Sequence, residues 1–206
     1  MKRIVTITML LAAQTAGAEL SANLGWQSEY IFRGIPQSTS SAQGGVDFES
    51  GGFYLGTWAA DVGVGAEIDG YGGYGWEVNG FSFGIGATGY FYTDDFDDTY
   101  RELNLSLGHS AVTLDFAAGE YDNFAGPTLD YTFLSASFEH GSGLYGVIGT
   151  FGADAEGDYY SVGYGTEVNG IDLSVDLIYS DNTLLGASGG ESNLVFSIGK
   201  SFDLNR

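Results

Sequence analysis

The chain has two histidines, His109 and His140, and each has serine close by: Ser110 follows the first and Ser142 lies two residues past the second. A serine beside an imidazole is the minimum of a nucleophilic hydrolase. Such a pair also needs a third group to orient the ring, and no spacing in this sequence supplies one. Both histidines fall in turn-forming stretches, where a solvated polar residue is the ordinary state. Gly84-Ile85-Gly86-Ala87-Thr88-Gly89 matches G-x-G-x-x-G, but it lies inside an alternating strand-like run instead of between a strand and a helix, so dinucleotide binding is not expected. Gly199-Lys200-Ser201 has the ending of a phosphate loop, yet Leu194 stands where that loop needs its first glycine. Thr93-Asp94-Asp95-Phe96-Asp97-Asp98-Thr99 offers oxygen ligands for calcium. It lacks the glycine and the spaced glutamate of a dedicated loop, so it reads as a solvated acidic segment open to bridging by divalent ions. The sequence has no cysteine, which removes disulfides and thiolate metal sites. These residues predict no enzyme, no cofactor and no dedicated metal site.

The residues that remain chemically telling are acids. The chain carries 27 acidic and 6 basic residues over 206 positions. Nucleic acid is thereby excluded as a partner, because binding it depends on Lys and Arg neutralising phosphates. Lys2 and Arg3 precede an apolar run from Ile4 to Ala13 and then Ala16-Gly17-Ala18, the pattern of a secretory signal cleaved after Ala18. The expected organisation is therefore a signal peptide over 1–18 and one domain over 19–206. The apolar run is too short to span a bilayer, and no other stretch approaches the roughly 20 apolar residues a membrane helix needs. With 34 glycines, 28 Tyr and Phe residues, three Trp and only two prolines, the composition also argues against a helical protein, since each glycine weakens a helix interior by about 1 kcal/mol.

The elements that must position the acids are strands. Ile171-Asp172-Leu173-Ser174-Val175-Asp176-Leu177 puts an aliphatic face against a polar one, and Leu103-Asn104-Leu105-Ser106-Leu107 and Val112-Thr113-Leu114-Asp115-Phe116 do the same. The pattern predicts strands near 20–32, 43–50, 53–61, 71–79, 81–92, 99–109, 111–120, 127–139, 143–151, 158–168, 170–180 and 191–204. Tight turns at 50–52, 79–80, 109–110, 140–142 and 169–170 alternate with longer polar connections at 33–42, 62–70, 93–98, 121–126, 152–157 and 181–190. That rhythm predicts an all-β fold, an antiparallel transmembrane β-barrel of about 12 strands with short periplasmic turns and longer outer loops. Asn79-Gly80 and Asn169-Gly170 end two similar octapeptides and read as two-residue hairpins.

If the aliphatic face meets lipid, the other parity lines the lumen. It collects Asn23, Gln27, Glu29, Arg33, Asp47, Glu77, Glu102, Asn104, Asp115, Asp130, Glu167, Asp172, Asp176 and Asn193. The expected pore-lining set is thus nine acids, Glu29, Asp47, Glu77, Glu102, Asp115, Asp130, Glu167, Asp172 and Asp176, with one base, Arg33. Lumen glycines such as Gly25, Gly75, Gly84, Gly86, Gly163 and Gly165 leave room and favour a narrow channel over a filled one. Aromatic residues near strand ends, among them Trp26, Tyr30, Phe32, Tyr90, Phe91, Tyr92, Tyr159, Tyr160, Tyr179 and Phe202, suit the girdles at the two membrane interfaces. The last residues, Gly199 to Leu204, resemble the final-strand signal read by the barrel-insertion machinery.

Gly25-Trp26-Gln27-Ser28-Glu29-Tyr30-Ile31-Phe32-Arg33-Gly34-Ile35-Pro36-Gln37 resembles the opening of the TorF-type porin family, also called the Gcw_chp domain family of proteobacteria. The resemblance continues through Gly44 to Phe48, Gly52 to Trp58 and Glu67 to Tyr74. Pro36 and Ala59-Ala60 depart from the family pattern close to an expected outer loop. The resemblance implies a pore in the outer membrane of a Gram-negative bacterium and no catalytic residue.

Together these readings predict a narrow, weakly cation-selective channel for ions or small solutes, because rings of acids favour cations. Its partners are then outer-membrane lipid, lipopolysaccharide and the insertion machinery. The alternative is a closed structural or adhesive barrel whose acidic outer loops bind a partner or divalent ions.

Overall fold

The fold follows from period-two alternation interrupted by turns that only certain residues can make. The structure is a computed structural model that describes residues 18–205. The expected signal segment, apart from Ala18, lies outside the described residues.

The strands are β1 (Glu19–Gln27), β2 (Tyr30–Phe32), β3 (Ile35–Ser38), β4 (Ser41–Ser50), β5 (Phe53–Asp61), β6 (Ala66–Val78), β7 (Phe81–Tyr92), β8 (Tyr100–His109), β9 (Val112–Tyr121), β10 (Leu129–Glu139), β11 (Leu144–Ala153), β12 (Gly157–Val168), β13 (Ile171–Ser180) and β14 (Glu191–Asp203). Twelve of them close an antiparallel barrel in the order β1-β14-β13-β12-β11-β10-β9-β8-β7-β6-β5-β4, while β2 and β3 pair only with each other. Closure comes from β1, whose Trp26 sits opposite Ile198 of β14 on one edge and Ala42 of β4 on the other. A spanning sheet has to close, since lipid offers no partner for an open edge.

The two Asn-Gly turns form as their sequence requires: Asn79 and Gly80 have φ of 52° and 81°, Asn169 and Gly170 of 55° and 74°. Both central residues of a primed two-residue turn need positive φ, which glycine and asparagine tolerate best. Long and short connections alternate around the ring as expected. Two of the long ones, 62–65 and 154–156, are shorter than predicted because the strands beside them run further towards that end.

The outward face is apolar. Leu24, Phe53, Leu55 and Leu103 are each more than 60% exposed. In water every such side chain would forgo roughly 1.5–3 kcal/mol of burial, and a continuous belt of them is a lipid-facing surface. Strand lengths, from nine residues in β1 to thirteen in β6, match or exceed the 9 to 11 residues a tilted strand needs to cross a bilayer. At the short-turn end an outward aromatic row runs from Phe53 through Tyr74 and Trp76 to Phe83, with ring centroids 4.8, 6.0 and 5.5 Å apart. Trp26, Phe91, Tyr160 and Tyr179 face outward near the other end.

The buried core lies inside the barrel near its long-loop end. Tyr30, Trp58, Ala60 and Val62 pack together, with Phe32, Tyr71 and Phe96 against them. This cluster exists because the chain between β1 and β4 folds inward.

Candidate functional site

The expected first strand, 20–32, is broken. β1 ends at Gln27, the chain bends through Ser28 and Glu29, and Tyr30 to Ser38 forms the hairpin β2–β3. The expected outer loop 33–42 is therefore largely a hairpin inserted in the lumen. Its turn is Arg33-Gly34, with φ of 49° and 83°, which joins Phe32 to its partner Ile35. Arginine in the left-handed region carries roughly 1–2 kcal/mol of strain, so its side chain must be held by what it reaches. Gly34 is needed twice over: its φ is positive, and a Cβ there would lie 2.5 Å from Cβ of Tyr159 and 2.8 Å from Cδ2 of Leu184. The Ser180 hydroxyl donates to the Gly34 carbonyl at 2.6 Å.

From the hairpin that follows β1, Arg33 reaches Glu102 of β8, far around the ring from β1. Its Nη1 donates to Oε2 of Glu102 and its Nη2 to Oε1, both at 2.9 Å. The guanidinium also lies 4.3 Å from the centre of the Phe133 ring and 4.9 Å from that of Phe32. Glu102 accepts further from the Tyr90 hydroxyl at 2.8 Å, the Tyr131 hydroxyl at 2.9 Å and the Asn104 amide at 2.7 Å. Thr88 donates to Oδ1 of Asn104 at 2.9 Å and fixes that amide. A carboxylate with both oxygens in use and a planar fork docked on it is the geometry in which arginine binds most strongly.

A second contact holds the base of the hairpin. Tyr30 donates to Oε1 of Glu67 at 2.6 Å, and its ring meets Trp58 edge-on at 5.7 Å. Glu67 and Asp69 are adjacent inward positions of β6, both buried, and Oε2 of Glu67 and Oδ1 of Asp69 have no hydrogen-bond partner. Sequence reasoning missed both, because the strand was started at 71. The alternation Glu67-Ile68-Asp69 continues the parity of Tyr71 without a break and would have found them.

Of the expected pore-lining residues, Asp47, Glu77, Glu102, Asp115, Glu167, Asp172 and Asp176 share the inward parity, as do Asn23, Gln27, Asn104 and Asn193. Asp130 does not. It pairs with Glu120, one residue away from buried Tyr131, and so faces outward beside the long-loop rim, where its backbone N–H donates to Asp154. The strand begins two residues later than expected, and alternation shows only that two faces differ, so near a strand end it did not fix which face Asp130 takes. Glu29 lies in the bend before the hairpin, outside any strand. Arg33 reaches the lumen through a turn and not by strand parity.

The inward acids are met by tyrosines. Tyr71 donates to Asp47 at 2.5 Å, with the Asn23 amide 3.5 Å away, and Tyr145 donates to Asp176 at 2.5 Å, with Ser174 at 3.2 Å. This network corrects two expectations. Of the glycines expected to leave room, Gly163 does not, since a Cβ there would meet the Tyr145 ring, just as one at Gly56 would meet the ring of Tyr71, at Gly119 that of Tyr131 and at Gly149 that of Tyr159. Glycine on one strand leaves the space that a ring from a neighbouring strand fills. The aromatics Tyr30, Phe32, Tyr90, Tyr92 and Tyr159 also belong to this interior and not to a membrane girdle.

The two histidines and the acidic loop have local partners. The Ser142 hydroxyl and backbone N–H both contact Nδ1 of His140, at 2.8 and 3.3 Å, so that ring closes its own turn. His109 stacks on Phe81 at 4.3 Å on the outer face. In the acidic loop, Asp97 accepts from Tyr100 and Tyr121, at 2.9 and 2.7 Å. Among the described residues no group of three or more His, Asp or Glu is placed to hold a metal ion.

The model of a family described as a bacterial protein of unknown function (Gcw_chp) matches residues 11–202. No curated protein matches the sequence. Among solved structures the chain is similar to one from work on the mechanism behind the in-meso crystallization of membrane proteins, with a TM-score of 0.62 and 10% identity over 91% of this chain and 85% of that one. It is similar to the NanC porin in a rhombohedral crystal form, with a TM-score of 0.56 and 10% identity over 90% of this chain and 100% of that one. It also matches OccK2 (OpdF) of Pseudomonas aeruginosa, at a TM-score of 0.45 and 12% identity over 94% of this chain and 69% of that one. At these identities the first two likenesses are of fold alone: a closed β-barrel.

Proposed function

We propose that this chain, which belongs to the Gcw_chp family of bacterial proteins, is an outer-membrane porin with a narrow, acid-lined, cation-preferring passage for ions or small solutes. The observation that carries this reading is the inward parity. Asp47, Glu77, Glu102, Asp115, Glu167, Asp172 and Asp176 have inward parity, and the one base brought among them within the described residues, Arg33, is already paired. Field lines from such a wall attract cations and repel anions. The chain is delivered by residues 1–18, which are removed, and enters the membrane through the insertion machinery by its last strand. Its outer face meets lipid and lipopolysaccharide.

One observation favours a second reading. At the level of the hairpin the inward side chains are almost wholly buried, Glu67 at 0% and Glu102 at 4% exposure, as in a closed structural barrel. On the porin reading the hairpin has to yield to let solute through.

Single-channel recording of refolded protein in a planar bilayer under a salt gradient separates the two. Discrete current steps with a reversal potential on the cation side are expected. As pH falls and lumen carboxylates gain protons, the cation preference should shrink. Silence from protein shown to be folded by heat-shifted gel mobility would make the barrel a closed one, with its acidic loops as the place to look for a partner.

A further inference from the structure

The wall of the lumen opposite β1 carries a receptor for a guanidinium group, and all of it but the Phe32 ring comes from barrel strands. Glu102 and Asn104 stand on β8, Tyr90 on β7, and Tyr131 and Phe133 on β10. Its occupant, Arg33, belongs instead to the short hairpin between β1 and β4, at a backbone conformation that arginine adopts only under restraint. Receptor and occupant are thus separable: withdrawing the hairpin removes Arg33 and Phe32 and leaves the rest in place.

The receptor is shaped for a fork and not for a point charge. Both carboxylate oxygens receive a guanidinium N–H at 2.9 Å, and the remaining acceptor directions are taken by two hydroxyls and one amide. The Phe133 ring, 4.3 Å from the guanidinium carbon, covers its face. An ammonium group would use one such oxygen well and leave the flat, aromatic side unfilled. When Arg33 leaves, Glu102, whose side chain is 1% exposed with the hairpin in place, loses its counter-charge beside the flat Phe133 ring, a setting that favours another planar cation in exchange.

We infer that the Glu102 pocket is a binding site for guanidinium-bearing solutes, that Arg33 occupies it as a tethered surrogate, and that such a solute exchanges with Arg33 and so frees the hairpin. The inference rests on the porin reading and names the solute class that the passage favours. The exchange breaks and forms only hydrogen bonds and an ion pair.

The test uses the chain without its signal segment, refolded and checked by heat-shifted gel mobility, with methylguanidinium as probe and sodium and tetramethylammonium as controls. In R33A the pocket is vacant. Methylguanidinium should bind saturably, read by the emission of Trp58 in a background where Trp26 and Trp76 are phenylalanine, because Trp58 packs against Tyr30 of the hairpin. Adding Glu102→Gln should weaken that binding at least tenfold. In the wild-type channel methylguanidinium should raise the open probability severalfold over equal concentrations of the controls. If R33A does not fold, the wild-type protein titrated through Trp58 carries the same test, with the probe competing against Arg33. Current steps in the bilayer combined with identical responses to all three cations would overturn the pocket and leave the porin standing. Saturable, Glu102-dependent binding by a protein that never conducts would uphold the pocket and overturn the porin.

Discussion

The two ends of the lumen are built from the same alternating strands, yet their acids have opposite fates. Near the short turns Glu77, Glu139 and Glu167 are exposed, while near the long loops Glu67, Asp69 and Glu102 are buried. Parity is common to both groups, so strand pattern does not account for the difference. What differs is the hairpin, which brings Tyr30 to Glu67 and Arg33 to Glu102 and covers those acids from water. A barrel wall thus supplies acids, and a single inward connection decides which of them face solvent and which are held in a hydrogen-bonded lock.

The comparison breaks most completely at Glu102. Glu102→Gln leaves Arg33 buried without its counter-charge, and removing one partner of a buried ion pair costs about 3–5 kcal/mol. The expected outcome is release of the hairpin from an intact barrel. Limited proteolysis should then cut within 28–40 while the heat-shifted gel mobility survives; a hairpin as resistant as in the native protein would detach Arg33 from any latching role.

Gly34→Ala should act in the same direction and less strongly. The positive φ alone costs roughly 1 kcal/mol for alanine, and the clash with Tyr159 and Leu184 adds to it. Proteolysis of the hairpin at intermediate rate checks this, and unchanged resistance would mean that the tip is looser than its contacts imply.

At the other end, Glu77→Gln with Glu167→Gln should leave stability within about 0.5 kcal/mol, as exposed substitutions usually do. It should move the reversal potential towards zero. A change in hairpin proteolysis without any change in selectivity would invert the assignment of the two ends.

The smallest effect is expected outside the lumen, where Arg101 pairs with Asp122 at 2.8 Å on the exposed rim. The hydrogen bond from Arg101 holds the Asp122 carboxyl below the usual aspartate range. A carboxyl with a depressed folded-state pKa adds stability that is present above its unfolded pKa and lost as pH falls through the folded one. Asp122→Asn should therefore remove a slight, salt-screened increment seen near neutral pH and absent in strong acid. A thermal shift that persists in high salt would contradict that.

The barrel was legible in the sequence because alternation is written locally: Ile171 to Leu177 and Leu103 to Leu107 each show two faces without reference to anything else. The Asn-Gly turns and the rhythm of short and long connections were legible for the same reason. The hairpin was not. Tyr30, Ile31 and Phe32 favour strands as strongly as β1 does, and an element buried on both faces has no alternation to reveal it. Glu67 and Asp69 were hidden by Gly70 and Gly72, which interrupt the apolar face just where β6 continues. Asp130 was misplaced because its strand begins beside a loop, and two residues of boundary are enough to lose the face.

The measurement that bears most directly on the account is the single-channel current of wild type and Glu102→Gln in planar bilayers under one salt gradient. The account predicts steps with cation-side reversal in both and a severalfold higher open probability in the variant, whose hairpin is released. Equal open probability in the two proteins, or reversal on the anion side, would contradict it.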